Sequence, residues 1–349
     1  MSDLVTSTEV PEPAEAGSGT RSGNTLRYVL SKLGGALVSL FLVVVLGFFL
    51  FRVMPGDPVV TMTRGRPVTI DQINELRAQL GLDRPLWQQF LDYLVGVLQG
   101  DFGESYTYQR PVGELILDRL WPTILLAGTA TLLAAVLGLW LGTLSAWRRG
   151  SRFDRVATGT ALTLWSVPTF WLGLIVLMVF AVGIGPIPGL FPTGGMVSTD
   201  TPPDFLSQAL DTAHHLVLPV ITMVAVIYAQ YQMVMRASLL EEMGADYLTT
   251  ARAKGLRDDL VRRRHAVPNA LLPTVTLIFL HLGLVVSGAV TVETVFSWPG
   301  LGQLLYQALQ VPDLPLVQGV FIVLTGSVTA MNVVAELLYR VLDPRVRTA

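Results

Sequence analysis

The densest group of chemically capable side chains runs from Arg236 to Arg264 and holds seven Lys or Arg residues. Its core reads TTARAKGLRDDLVRRRHAVPNALLP over residues 249–273. Positive charge at this density can pair with acids on a partner, or it can simply set membrane topology. Ser238 and Glu241 fit a capping box, which marks a helix start. Gly255 follows DYLTTARAK and suits the left-handed position that ends a helix, with Lys254 at the negative end of the helix dipole. Asp258–Arg262 and Asp259–Arg263 are spaced i,i+4 with the acid first, which supports a second short helix. Pro268 and Pro273 bound the entry to the next apolar run. The pattern predicts two short helices meeting near Gly255. Ala251 and Ala253 leave the first with little bulk, so another protein can approach it closely.

Other titratable groups are sparse. His281 is the one such group, tyrosine aside, well inside a predicted span. It can contact solute or make a packing contact, and a lone histidine is neither a metal site nor a proton pathway. His214 and His215 are adjacent and have no companion ligands, so they read as interface residues. Glu293 stands beside SWPGLG (297–302), a tight turn or short re-entrant connection. It can bind solute, steady a gate, neutralise a basic partner or, the first choice, restrain the turn. Gln230, Gln232, Ser166, Thr169 and Ser327 can line a route or join helices. Gly128, Gly138 and Gly142 offer close helix approach. No cysteine is present, which excludes disulfides and thiolate chemistry. A G-x-x-x-x-G-K-[ST] phosphate loop is also missing, so this chain is not expected to bind ATP.

The composition says what must position these residues. Hydrophobic residues make up 51% of the 349, and charged ones 14%, against about 25% in soluble domains. The apolar residues cluster into runs near the 20 or so residues that a membrane helix needs. The sequence predicts an all-α membrane protein with six transmembrane helices, near 33–53, 122–144, 157–182, 216–234, 271–292 and 316–338. Arg148, Arg149, Arg152 and Arg155 follow the second, and the seven basic residues follow the fourth. Loops after the third and fifth carry no Lys or Arg. By the positive-inside rule both termini are cytoplasmic. Residues 1–26 are polar and read as a disordered tail, 27–345 as the membrane domain and 346–349 as a short tail. Within the domain, 54–120 is an external segment and 236–270 a cytoplasmic loop. TIDQINELRAQLGL (Thr69 and Asp71 as caps) and PLWQQFLDYLVGVL predict two amphipathic helices on the outer surface or over the spans. GDFGES after them reads as a turn.

The 249–273 stretch resembles the cytoplasmic loop signature of membrane permease subunits in binding-protein-dependent ABC importers. Gly255 and Pro268 keep that signature's thirteen-residue separation. Thr249 and Thr250 replace its usual glutamate and first alanine, while TARAKGL has the form of the peptide-transport branch. PGDP (55–58), LRAQLGLDRP, GDFGES, SVPTFWLG, LVLPVITM, VETVFSWPGLGQLL, PDLPLVQG and LDPR (342–345) look like further family segments. They extend the resemblance over about residues 27–345.

The resemblance implies an ABC importer permease fold with cytoplasmic coupling helices. Ala251, Arg252, Ala253, Lys254 and Gly255 would form the core of the coupling segment, with Pro268 marking its end. It further implies a second permease subunit of different sequence, forming a heterodimer, two ATPase domains carrying ATP and Mg, and an extracytoplasmic substrate-binding protein. The permease itself would bind no cofactor and catalyse nothing. Dipeptides or oligopeptides are the implied substrate, with nickel chelates or another small solute as the alternative. A bacterial inner membrane is the implied location. An ion-coupled carrier is disfavoured because the second to fifth span cores contain no Asp, Glu, Lys or Arg. A non-transport membrane scaffold remains the other class. Gln230, His281 and Glu293 are the candidates for path or gate.

Overall fold

The computed structural model describes residues 20–53, 59, 63, 69–79, 81–288, 290–311 and 313–342. PGDP at 55–58, the tail residues 1–19 and 346–349, and most of LDPR lie outside the described residues. α1 spans Thr20–Val53, so it starts inside the segment expected as tail. α2 (Ile70–Gln79) and α3 (Leu86–Gln99) follow. Thr69 caps α2: the Gln72 amide donates to Thr69 Oγ1 at 3.3 Å, and Gln72 Oε1 accepts from the Thr69 amide at 2.9 Å. The GDFGES turn forms as expected, with Gly100 and Gly103 at positive φ.

α4 (Val112–Trp147) and α7 (Phe205–Glu242) are the two longest helices. Between them the chain forms α5 (Arg152–Ser166), α6 (Thr169–Leu177), a π-helical turn to Val182 and a two-stranded hairpin, β1 (Gly183–Ile184) and β2 (Ile187–Pro188). The hairpin pairs Gly183 with Pro188 and Ile184 with Ile187. The continuous third span expected over 157–182 is instead two helices bent by 99°. Pro168 explains the break. It lacks an N–H and forces Val167 out of helical geometry, to φ −80° and ψ 129°.

α8 (Asp246–Ala253), α9 (Asp258–Val261) and a π-helical turn (Arg262–Ala266) lead into α10 (Val267–Gly288). α11 (Val290–Val295), α12 (Leu301–Gln310) and α13 (Leu314–Leu342) complete the fold. Among the described residues, four helices are long and apolar enough to cross a membrane, within α1, α4, α7 and α13; the bent α5–α6 pair makes a fifth if taken as one span. The molecule is therefore an all-α, multi-pass membrane protein.

The direction of the long helices can be read from their contacts. Gly138 of α4 faces Tyr228 and Tyr231 of α7, and Gly142 faces Gln232 and Met235, so the two helices run the same way. A Cβ on Gly138 would fall 2.6 Å from Tyr231 Cβ and 2.7 Å from the Tyr228 carbonyl oxygen. These glycines therefore let two backbones meet, as small residues do in membrane interfaces. Val112, at the start of α4, lies against Gly319 near the start of α13, so α13 runs the same way too. α1 runs opposite to α13, because Gly47 meets Phe321 and Lys32 pairs with Glu336 at 2.8 Å.

Candidate coupling surface and outer clasp

At the basic end, α7 continues to Glu242 and a tight turn at Met243–Ala245 redirects the chain into α8. Ser238 lies inside α7 and opens no new helix. Extending an existing helix avoids the cost of a fresh nucleus, so the capping pattern there is overridden. α8 is anchored by Leu248, fully buried, and Ala251. Both pack with Ala146 of α4, Met235 and Leu239 of α7, and Ala266 and Ala270 at the entry to α10. Ala251 therefore faces its own protein, and its small side chain answers internal packing rather than a partner's approach. Arg252, Ala253, Lys254 and Gly255 are exposed, as are Pro268 and the apolar Leu256 and Leu260. Pro268 is the second residue of α10, directly after the π-helical turn.

α8 ends as the glycine predicts. Gly255 has φ +80°. Its amide donates to the Arg252 carbonyl at 2.9 Å, and the Leu256 amide donates to Ala251 at 3.3 Å. This is the Schellman pattern. A Cβ on Gly255 would meet nothing within 4 Å, so only backbone conformation demands glycine here.

The expected Asp258–Arg262 and Asp259–Arg263 pairs do not form. Instead Arg252 Nε meets Asp258 Oδ1 at 3.2 Å, and Arg257 Nε meets Asp259 Oδ1 at 3.3 Å. α9 is only four residues long before the wider π turn takes over, which moves i+4 neighbours off a common face. Arg262 lies over the Trp147 ring, 5.5 Å from its centroid. Tyr247 donates its hydroxyl hydrogen to Glu242 and accepts from Asn269 Nδ2 at 2.9 Å. Burial, then the Glu242 hydrogen bond, holds this phenol above its ordinary range, while Asn269 acts in the other direction.

Arg236 is committed internally. Its guanidinium grips Asp154 through two bonds, Nε to Oδ1 at 2.7 Å and Nη2 to Oδ2 at 2.9 Å. Asp154 also accepts from the Gly150 amide at 2.9 Å, while Ser151 caps α5 through the Asp154 amide. The ion pair fastens the start of α5 to α7. Sequence reasoning missed Asp154; its only local signal is the Ser151 cap three residues earlier.

At the opposite end, Glu293 is fully buried. Its carboxylate accepts from Thr123 Oγ1 at 2.7 Å and from the Gly302 and Gln303 amides at 2.7 and 3.0 Å. Thr123 Oγ1 accepts in turn from the Leu301 amide at 2.8 Å, and Trp298 Nε1 donates to the Pro122 carbonyl at 2.9 Å. These bonds clasp α11, the SWPGLG turn and the start of α12 to α4. Glycine at 300 and 302 is required by space: a Cβ on Gly300 would lie 2.2 Å from the Glu293 carboxylate. A second buried acid, Asp313, accepts from Ser105 Oγ at 2.6 Å and the Thr107 amide at 2.9 Å, tying the GDFGES turn to α13.

The path candidates fall in two places. His281 Nδ1 lies 2.9 Å from the Tyr231 hydroxyl, and Gln230, the residue before Tyr231 in α7, is half-buried. Glu293 stands apart in the clasp. Ser166 and Ser327 donate to carbonyls four residues back in their own helices. His214 Nε2 bonds the Leu190 carbonyl at 3.1 Å, while His215 packs against Asp211. Among the described residues, no group of three or more His, Cys, Asp or Glu side chains could hold a metal ion.

The fold is that of an all-α, multi-pass membrane protein with a short helix, α8, set on the ends of its long helices. The chain belongs to the family of binding-protein-dependent transport system inner membrane components, whose model matches residues 108–348, with the family's N-terminal model on 25–127. It is 38% identical over 339 residues to the dipeptide transport system permease protein DppB of Escherichia coli K12, covering 92% of this chain and 99% of that one. The di/tripeptide transport system permease protein DppB of Pseudomonas aeruginosa is 38% identical over 332 residues, with the same coverage. The glutathione transport system permease protein GsiC of Escherichia coli K12 is 34% identical over 322 residues, again with 92% and 99% covered.

Proposed function

We propose that this chain is the permease subunit of an ATP-driven importer for dipeptides or oligopeptides, working with a separate ATPase. The observation that carries the reading is α8: a short helix packed on the inner ends of α4, α7 and α10, with Arg252 and Lys254 exposed at its C-terminal end. The peptide class is supported by relatives named for dipeptide, di/tripeptide and glutathione transport. Arg252, Ala253, Lys254 and Gly255 present the coupling face, and Ala251 seats it. Pro268 closes the segment. The complex contains a second permease of different sequence, two ATPase domains and an external substrate-binding protein. Gln230, His281 and Glu293 are assigned to the path and its gate, Glu293 by fixing the outer turn.

Six crossings fit the helix directions. α4, α7 and α13 run the same way, so the chain must return across the bilayer between each pair. The bent α5–α6 pair supplies the first return and α10 the second, and α1 adds the sixth crossing. With the basic end of the bundle cytoplasmic, both termini are cytoplasmic as well. No covalent step is needed in this chain: ATP-driven displacement of α8 changes which side the cavity opens toward.

The test is uptake of labelled peptides into right-side-out vesicles that hold the assembled complex, its binding protein and internal ATP. Peptides should accumulate, and Gly255→Val should abolish accumulation while leaving subunit assembly intact. If an ATPase-competent complex accumulates no peptide but takes up nickel chelates, the substrate class is wrong. If it accumulates no solute at all, a scaffold role replaces transport.

A further inference from the structure

α3 carries an apolar stripe that the protein leaves uncovered. No residue of α3 is buried. Trp87 is 65% exposed, Leu91 48% and Leu98 79%. They stand at i, i+4 and i+11, one side of a helix. Gln88, Asp92 and Gln99 each follow one of them by a single position, which places a polar stripe about 100° around the same helix. Asp92 on that polar side pairs with Arg84 at 2.8 Å, with both partners more than half exposed.

Two observations say what lies against the apolar stripe. The first is depth. α3 is pinned to α1 by Phe90, whose ring centroid is 5.3 Å from Phe48 and 5.9 Å from Phe49, and by Tyr93, 5.4 Å from Phe48. The apolar span of α1 is Val29–Leu50. At about 1.5 Å per residue that is roughly 33 Å, close to the thickness of the hydrocarbon core. Phe48 and Phe49 are therefore at the end of that core, and α3 lies at this level. The second is continuity. Leu46, Phe49 and Leu50 of α1 are themselves 47–66% exposed, and the Phe49 ring stacks on Phe90 of α3 with 5.9 Å between centroids. Tryptophan beside aliphatic residues at this depth is what a bilayer boundary selects.

We propose that α3 lies along the outer boundary of the bilayer and inserts Trp87, Leu91 and Leu98 among the lipid acyl chains, with Gln88, Asp92 and Gln99 facing water. The occupant of the stripe is lipid. The external segment is then a float fixed to the outer end of α1.

The absence of cysteine from the chain makes the test clean. Single cysteines at Leu91, Leu98, Asp92 and Gln99 would carry nitroxide labels, with Leu46→Cys, at a position 66% exposed on the apolar span of α1, as a lipid-facing reference. The full chain, alone and in its assembled complex with any partner cysteines replaced, would be placed in phosphatidylcholine–phosphatidylglycerol vesicles. Power saturation with oxygen and with a water-soluble nickel chelate then reports each label's surroundings. Labels at Leu91 and Leu98 should match Leu46 and favour oxygen severalfold, while Asp92 and Gln99 favour nickel. Nickel access at Leu91 and Leu98 equal to that at Gln99 would overturn the proposal in favour of water. Shielding of both from either reagent in the complex would overturn it in favour of a protein cover. Neither readout depends on transport, so failure here is separable from failure of the peptide assignment.

Discussion

Glu293 and Lys254 stand at opposite ends of the bundle and treat charge in opposite ways. The Glu293 carboxylate is enclosed and takes three donors from α4 and α12. Lys254, Arg263 and Arg264 are exposed, and among the described residues none has an ion-pair partner. A buried charge must be satisfied inside the fold, since leaving it unpaired is expensive. An exposed charge costs little to leave open, so it remains available to another molecule. One end is therefore fixed by its polar groups, and the other holds donors in reserve. The difference teaches that charge alone does not mark a binding surface: its enclosure does the sorting.

The strongest way to break this contrast is at the clasp. Glu293→Ala would strand the Thr123 hydroxyl and two backbone amides, a loss of about 3–9 kcal/mol at roughly 1–3 kcal/mol for each buried unpaired donor. Gly300→Ala should come close to it, because the added Cβ collides with the same carboxylate. Both are read as falls in thermal unfolding temperature of the purified protein. Unchanged melting in both variants would show that the clasp is not a restraint. Next is Leu248→Ala, which empties the anchor under α8 and should cost about 2–4 kcal/mol. Faster proteolysis within 246–264, seen on a gel, is the expected sign. Asp154→Asn removes the charge that Arg236 grips and should cost about 1–2 kcal/mol, since the arginine keeps partial access to solvent. Its melting point should fall less than that of Leu248→Ala. The smallest effect on the chain itself is expected from joint replacement of Lys254, Arg263 and Arg264 by glutamine. Stability should not move, while ATPase binding weakens and loses part of its salt dependence. Unaltered binding would mean that the reserve charges serve topology alone.

Much of the fold is written in local pattern. The apolar runs marked the long helices, and Gly255 announced its own left-handed turn because so few other residues adopt one. The break at Val167 was also legible, since a residue before proline is pushed out of helical geometry, but the length and apolarity of 157–182 masked it. Leu248 and Ala251 are three apart with polar residues between them, a spacing that points Ala251 inward. The long-range partnerships were not legible. Arg236 and Asp154 are 82 residues apart, and Thr123 and Glu293 are 170 apart. Two of the Glu293 donors are backbone amides, which carry no residue identity. Their trace in the sequence is indirect: the glycines at 300 and 302 that make room.

The seat of α8 has a mechanical consequence. Leu248 and Ala251 rest on residues of α4, α7 and the entry to α10 within one dry cluster. Close-packed interiors have little slack. A push on α8 larger than that slack has no route into one span alone, and the load is divided among three. The Arg236–Asp154 grip then carries part of it to the start of α5. A load on this one surface helix is thereby shared by α4, α5, α7 and α10, with no single hinge to fail.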